Sequence, residues 1–173
     1  MAKLKKFSAY RNLERPYTRI SKFRKKSFIR STPPSKIARF ESGDVNKKFE
    51  YKVNLMSKEA LQIRHNAIEA GRQTCNRLLE KMLGKNGYFF KIRIYPHHIL
   101  RENPLAAGAG ADRMSTGMKK SFGKAIGSAA QVKIGQVLAT VSLDKQGIKV
   151  GKEALKKMGH KMPCSCRIEA VEA

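Results

Sequence analysis

The chain has 173 residues, about the length of one domain, and its 41% apolar residues suffice for a modest core. Its 37 Lys and Arg against 13 Asp and Glu leave a net charge of +24, which favours a polyanionic partner: nucleic acid first, an anionic membrane surface or an acidic protein less so. No apolar run is long enough to span a bilayer, and no apolar segment of a secretory signal follows the first bases, so we expect an intracellular protein.

Residues 1–40 carry 13 basic residues against the single acid Glu14. A run of charge is often only a solvated tail. Here aromatic residues alternate with the bases, and prolines in "RPY" and "STPPSK" restrict the backbone. Cations for phosphates and rings for unpaired bases suit an extended arm laid along RNA. The rings are Phe7, Tyr10, Tyr17, Phe23 and Phe28.

The next segment predicts a strand followed by a long helix. Phe49, Tyr51, Val53 and Leu55 alternate with polar residues, as in a half-buried strand. Ser57 is a candidate N-cap for a helix that runs from there to Gly84. Its apolar side is predicted to contain Leu61, Ile68, Cys75 and Met82.

The rest of the chain predicts further strands and one more helix. "YFFKIRIYP" is typical of a strand closed by Pro96, and "AAQVKIGQVLATVSL" of two short strands joined at Gly135. "KVGKEALKKMGHKMP" predicts a second helix with Ala154, Leu155 and Met158 inward, and "CSCRIEAVEA" a last strand. Because strands and helices do not alternate regularly, an α+β fold is favoured over a doubly wound parallel sheet.

Residues 101–127 predict a long, flexible internal loop, because "ENPLAAGAGADRMSTGMKKSFGKAIG" shows neither helical nor strand periodicity. It could be a plain linker, but the bases Arg101, Arg113, Lys119, Lys120 and Lys124 favour a binding element. Glycines let backbone N–H groups approach a phosphate or sugar closely. Its glycine-rich part, "GAGADR", lacks the lysine and hydroxyl of a nucleotide-binding loop.

Histidines and cysteines give little indication of chemistry. His160, Cys164 and Cys166 fall short of the four ligands of a zinc site, and both cysteines are predicted on one face of a strand as buried small residues. His97 and His98 lack an evident partner for acid–base work, which favours packing or an RNA contact. We expect no metal and no cofactor.

Three stretches resemble the archaeal and eukaryotic branch of the large-subunit ribosomal protein L-sixteen family (L-ten-e in that branch). They are "RNLERPYTRISKFRKKSFIRSTPPSKIARFESGD", "IRIYPHHILRENPLAAGAGADRMSTGMKKSFGKAIGSAAQVKIGQ" and "GKEALKKMGHKMPCSCRIEAV". The resemblance is collinear over nearly the whole chain, and "AGADRMSTGMKKSFGK" is its most specific part. It implies a sandwich of mixed or antiparallel sheet packed with two helices, with a basic, extended N-terminal arm (residues 1–40) and a globular domain (residues 41–173).

The resemblance also implies a role. The protein would be a structural, non-enzymatic constituent of the large subunit of the cytoplasmic ribosome, and the loop would face the acceptor ends of A-site and P-site tRNA near the peptidyl transferase centre. Implied loop positions are Arg101, Gly108, Gly110, Asp112, Arg113 and Gly117. Implied rRNA-binding positions are Lys3, Lys5, Lys6, Arg11, Arg15, Arg19, Lys22, Arg24, Lys25, Lys26, Arg30, Lys36, Lys119, Lys120 and Lys124.

Expected partners are therefore large-subunit rRNA, the two tRNAs and neighbouring ribosomal proteins, without a membrane and without a homo-oligomer. Three other classes remain to be weighed. A non-ribosomal RNA-binding module would explain the charge but not the collinear resemblance. A phosphate-handling enzyme would need a paired acid and base beside the glycines, where only Asp112 stands. A secreted heparin-binding protein would carry a signal peptide and paired cysteines.

Overall fold

A computed structural model describes residues 6–18, 21–29, 31–103, 105, 108, 110 and 117–172. The strands and α-helices of these residues are β1 (Glu41–Gly43), β2 (Tyr51–Ser57), β3 (Leu61–Arg64), α1 (His65–Leu83), β4 (Tyr88–Ile92), β5 (His98–Glu102), β6 (Lys124–Val132), β7 (Val137–Leu143), α2 (Ile148–Gly159) and β8 (Cys166–Glu172). Short 3-10 helices cover Phe7–Tyr10, Arg24–Lys26, Gly117–Lys120 and Lys145–Gly147. Six of the predicted site residues lie outside the described part: Lys3, Lys5, Arg19, Arg30, Asp112 and Arg113.

The strands form two antiparallel sheets. The larger has the order β1-β4-β7-β2-β8, and the smaller has the order β3-β6-β5. In the larger sheet Val53 lies opposite Val141 on one neighbour and Ala170 on the other. The α+β architecture with two helices is confirmed, and the sheets are antiparallel throughout.

The core lies between the larger sheet and the two helices, and one face of the smaller sheet joins it. Val53, Leu55 and Phe90 of the sheet are fully buried, as are Ile68 and Leu79 of α1. The inward residues predicted for α2 are buried as well: Ala154, Leu155 and Met158. Burial of each of these large side chains contributes roughly 1.5–3 kcal/mol to the stability of the fold. The packing of the helices on the larger sheet therefore fixes the positions of the outer elements.

Several predicted elements are confirmed. β2 and β4 show the expected alternation of burial. Strands β6 and β7 are joined through Gly135 at φ +77°, a backbone conformation that favours glycine. α1 ends at Gly84, and β8 follows α2. None of the helices in the described ranges combines the length and hydropathy needed to cross a bilayer.

The predicted start of α1 is wrong. Leu61–Arg64 form strand β3, and the helix begins at His65. Ser57 does not cap it: this residue ends β2, and its hydroxyl donates to the Glu59 carbonyl at 2.7 Å within a turn. Leu61, Gln62 and Ile63 are consecutively buried, because both faces of β3 are covered.

The predicted loop is also too long, because two strands enter it. Arg101 and Glu102 end β5, and Lys124 to Gly127 belong to β6. The two strands pair with an irregularity, since Leu100 lies opposite Gly127 but Arg101 opposite Ala125. This places Arg101 on a sheet rather than on a loop.

The described part of the arm lies against the smaller sheet. The Ile99 N–H donates to the Tyr17 carbonyl at 3.1 Å. Gln62 and Gln131 occupy paired positions on β3 and β6, and their amides donate to arm carbonyls, at Asn12 (2.5 Å) and Glu14 (2.7 Å) respectively. These contacts cover the sheet face that does not pack on the core.

Candidate RNA-binding surface

Predicted rRNA-binding cations whose side chains the structure describes are all exposed. They are Lys6, Arg11, Arg15, Lys22, Lys25, Lys26, Lys36, Lys119 and Lys124. The side chains of Arg24 and Lys120 are outside the described part, although their backbones lie in 3-10 helices. Arg11 is paired with Glu59 at 2.8 Å, and Lys26 lies 5.4 Å from the centre of the Phe23 ring. Charge is therefore presented to solvent along the arm and beside β6.

Arg101 differs from these exposed cations because its guanidinium lies against two rings that are nearly perpendicular to each other. Its guanidinium carbon lies 4.7 Å from the Tyr17 ring centre and 4.0 Å from the Phe122 ring centre. The two rings meet edge to face at 5.4 Å. We call Tyr17, Arg101 and Phe122 the arm–loop junction, since they join the arm, the end of β5 and the segment before β6.

Two clefts open on either side of the junction. One, of about 500 Å³, is polar and is lined by Tyr10, Gln62 and Glu102 among others. The other, of about 410 Å³, is lined by Tyr17, Phe28, Arg101, Phe122 and Lys124. Rings and cations share the second cleft, and Phe28 and Phe122 are both more than half exposed. This combination suits a stacked nucleobase next to its phosphate.

Histidine rings hold the arm in two places. His98 is 3% exposed, and its Nδ1 accepts a hydrogen bond from the Tyr17 N–H at 2.8 Å. His65 accepts one from the Lys36 N–H at 2.9 Å. Burial lowers the pKa of both rings. Nearby cations lower the pKa of His65 further, whereas at His98 the Glu14 carboxylate opposes the shift. Both rings must be neutral at the bonded nitrogen, so for His98 packing is the role that the structure supports.

The two ends of the loop are tied together. The Asn103 side chain donates to the Gly117 carbonyl at 3.2 Å. Within this closure Gly108 and Gly110 have φ of +125° and +81°, and a Cβ built at either would meet none of the described residues within 4 Å. Gly123, at φ +83°, instead lies against the Glu102 backbone, where a Cβ would come within 2.8 Å of the carbonyl carbon. Gly108 and Gly110 therefore place backbone without side chains between the two loop ends that the Asn103–Gly117 hydrogen bond joins.

The cysteines and histidines form no metal site in the part of the chain that the structure describes, where no three His, Cys, Asp or Glu are suitably grouped. Cys164 and Cys166 are half-buried, and Cys164 lies before β8 rather than on it. His97 places its Nδ1 3.0 Å from the Tyr95 carbonyl.

Sequence reasoning missed the groups that hold the arm. Gln62, Gln131 and His65 were not singled out, and Phe122 was not recognised as a partner of Arg101. Only buried polar residues in an otherwise apolar segment, such as Gln62 between Leu61 and Ile63, could have indicated a covering partner.

Comparison with known proteins agrees with these features. The family model described as "Ribosomal protein L16p/L10e" matches residues 18–169. The protein named large ribosomal subunit protein uL16 from Methanococcus maripaludis is 44% identical over 160 residues, covering 92% of this chain and 89% of the relative. The proteins of that name from Methanococcus aeolicus (43% identity; 95% and 92% covered) and Staphylothermus marinus (44%; 88% and 84%) are similar in the same way. The chain belongs to the L16p/L10e family of ribosomal proteins.

Proposed function

We propose that this ribosomal protein is a structural constituent of the large subunit that binds large-subunit rRNA, and that its loop helps to position the acceptor ends of A-site and P-site tRNA. The names of its relatives support the assignment to the large subunit. Family membership gives rRNA and neighbouring ribosomal proteins as partners, the cytoplasmic ribosome as location and a structural rather than enzymatic role. It also sets aside a non-ribosomal RNA-binding module.

The observation that carries the rRNA proposal is the row of exposed cations on a chain of net charge +24. Cations on phosphates release counterions, and this supplies most of the sequence-independent binding energy. The exposed rings Phe23, Phe28 and Phe122 add stacking surfaces for unpaired bases. We propose residues 1–40 as the rRNA-binding extension of a globular domain formed by residues 41–173.

The tRNA proposal rests on the construction of the loop. The arm–loop junction and the Asn103–Gly117 hydrogen bond fix its root, while Gly108 and Gly110 are exposed and have no side chain of their own to cover the backbone. A backbone presented in this way can approach a sugar or phosphate closely. We propose Arg101 as the residue that sets the direction of the loop.

The large-subunit assignment is tested by sedimentation. Tagged chain expressed in an archaeal host that makes a relative of this family should sediment with large subunits and remain bound through a high-salt wash. Replacing the exposed arm cations Lys22, Lys25 and Lys26 by glutamine should reduce retention. The matched control is the replacement of three exposed lysines of α2 by glutamine, at Lys149, Lys152 and Lys156. Recovery of the unaltered chain only in the free fraction would contradict the proposal.

The tRNA role is tested separately, by replacing Gly108 and Gly110 with alanine. Neither added methyl meets a residue in the described part of the chain, so we expect subunit incorporation to persist and A-site tRNA binding to weaken. Gly135→Ala is the matched control, because Gly135 also has a positive φ and open space around it but lies in the β6–β7 turn. Unchanged tRNA binding in subunits that contain the double variant would contradict the tRNA role while leaving the rRNA role intact.

A further inference from the structure

The segment Cys164-Ser165-Cys166 brings two thiols into contact. Their Sγ atoms are 3.7 Å apart, and both side chains are half-buried rather than enclosed. A disulfide bond is about 2.0 Å long, so side-chain rotation with a small backbone movement would close the gap. The third cysteine, Cys75, is fully buried in α1 and provides an internal reference.

The two thiols are not equivalent. The Cys166 S–H, which can also donate to the Cys164 carbonyl at 3.5 Å, donates to the Cys164 sulfur and lowers the pKa of Cys164 to about 7. Burial and the nearby Glu59 carboxylate oppose this shift. The same contact raises the pKa of Cys166. Burial raises the pKa of Cys75 to about 12.

A small molecule can reach the pair. Both cysteines line a cleft of about 240 Å³ whose other walls include Leu155, Lys156 and His160. Lys156 is exposed, and its ammonium group can attract an anionic reagent. A thiolate in a partly exposed site near cationic groups is the environment in which cysteines react.

We propose that Cys164 and Cys166 form a reversible thiol–disulfide site in the unassembled chain. The Cys164 thiolate attacks one sulfur of a small-molecule disulfide, which breaks the S–S bond and releases one small thiolate. The Cys166 thiol gives its proton to water and attacks the Cys164 sulfur of the mixed disulfide. This step releases the second small thiolate. Two protein thiols are thereby oxidised to one intramolecular disulfide, and the small disulfide is reduced to two thiols.

Oxidation of the two thiols should affect the turn between β2 and β3, because Ser165 forms hydrogen bonds with that turn. The Lys58 N–H donates to the Ser165 carbonyl at 3.0 Å, and the Ser165 N–H donates to the Glu59 carboxylate at 3.3 Å. Glu59 also binds Arg11 of the arm at 2.8 Å. A ring closed around Ser165 reorients these peptide groups, so we expect faster amide exchange at Lys58 in the oxidised chain.

The first test is alkylation of the folded, reduced chain by iodoacetamide, followed by peptide mapping. Because the pKa of Cys164 is lowered from the ordinary 9.0, more of this side chain is thiolate at pH 7 than in an ordinary cysteine. Allowing for the lower nucleophilicity of a less basic thiolate, each unit by which the pKa is lowered should raise the rate roughly threefold. Cys166→Ala should remove most of this advantage. Equal rates at Cys164 and Cys166, or a faster rate at Cys75, would overturn the proposal.

The second test is treatment with glutathione disulfide and intact-mass measurement. The unaltered chain should lose two hydrogen atoms without retaining glutathione, whereas the Cys166→Ala chain should retain one glutathione at Cys164. Dithiothreitol should reverse both changes. A glutathione adduct that persists on the unaltered chain, a disulfide to Cys75 or between chains, or no change in mass would each overturn the proposal.

Discussion

Arg101 shows how one cation can be part of the fold and of the proposed binding surface together. Its guanidinium lies against Tyr17 of the arm and Phe122 before β6, and its Nη1 donates to the Phe122 carbonyl at 3.4 Å. A planar, delocalised cation stacks on rings in a way that an ammonium group does not. Arg101 therefore joins three segments that are far apart in the chain.

Arg101→Lys should destabilise the fold even though the charge is kept. Weakening of the two cation–ring contacts should lower the free energy of unfolding by about 1 kcal/mol, as measured by urea denaturation. Arg39→Lys makes the same chemical change at an exposed arm position and should have little effect. If the two variants are equally stable, the junction does not contribute to stability.

Stability should fall in mild acid because of His98 and His65. Burial holds their folded-state pKa below the ordinary 6.5, so below that pH the unfolded chain binds protons that the folded chain resists. The free energy of unfolding should therefore decrease as pH falls from about 6.5 toward the lowered pKa, and it should gain nothing from these rings above 6.5.

The measurement is urea denaturation at a series of pH values between 7.5 and 5, together with exchange of the Tyr17 amide. His98→Gln should flatten the pH dependence, since glutamine does not titrate. His160→Gln replaces an exposed ring after α2 and serves as control. A His98→Gln chain with the same pH profile as the unaltered chain would refute this explanation.

Among the elements, β3 and β5 show what the sequence could not indicate. Alternation was readable in β2 and β4 because one face of each is buried, and helical periodicity was readable in α2. In β5, His98, Ile99 and Leu100 are consecutively buried, because the arm covers the face away from the core. That cover comes from residues distant in sequence, so no local pattern predicts it.

The same reasoning applies to the candidate site. The exposed cations were predicted because charge needs no partner to be recognised in a sequence. The contact of Arg101 with Tyr17 and Phe122 was not predicted, because it depends on how the arm crosses β5 and on the irregular pairing between Leu100 and Arg101. The role of His98 in packing was one of two alternatives that the sequence left open.

The root of the loop should tolerate an added methyl less well than a free turn does. Gly123 and Gly135 have similar φ of +83° and +77°, but only at Gly123 would a Cβ lie against backbone, that of Glu102. Gly135→Ala should cost about 1–2 kcal/mol from its left-handed conformation alone. Gly123→Ala should cost clearly more and should weaken protection of the β5 amides. Equal denaturation midpoints would show that the close approach relaxes freely.

At the scale of the whole molecule, the arm has two roles. It carries charge to solvent, and its backbone closes the face of the smaller sheet through Gln62, Gln131 and His98. Removal of residues 1–18 should therefore raise amide exchange in β3 and β5 while β2 and β7, at the centre of the larger sheet, stay protected. Uniform loss of protection would mean that the arm is needed for the whole fold.

The central claim, that this chain is held to rRNA by its cations, is tested most directly by its affinity for large-subunit rRNA as a function of salt. Contact with about 6–10 phosphates predicts a fall in affinity of roughly 10³–10⁵ between 50 and 200 mM salt, with tighter binding to large-subunit rRNA than to unrelated RNA of equal length throughout. An affinity that is insensitive to salt, or that is the same for both RNAs, would contradict the account.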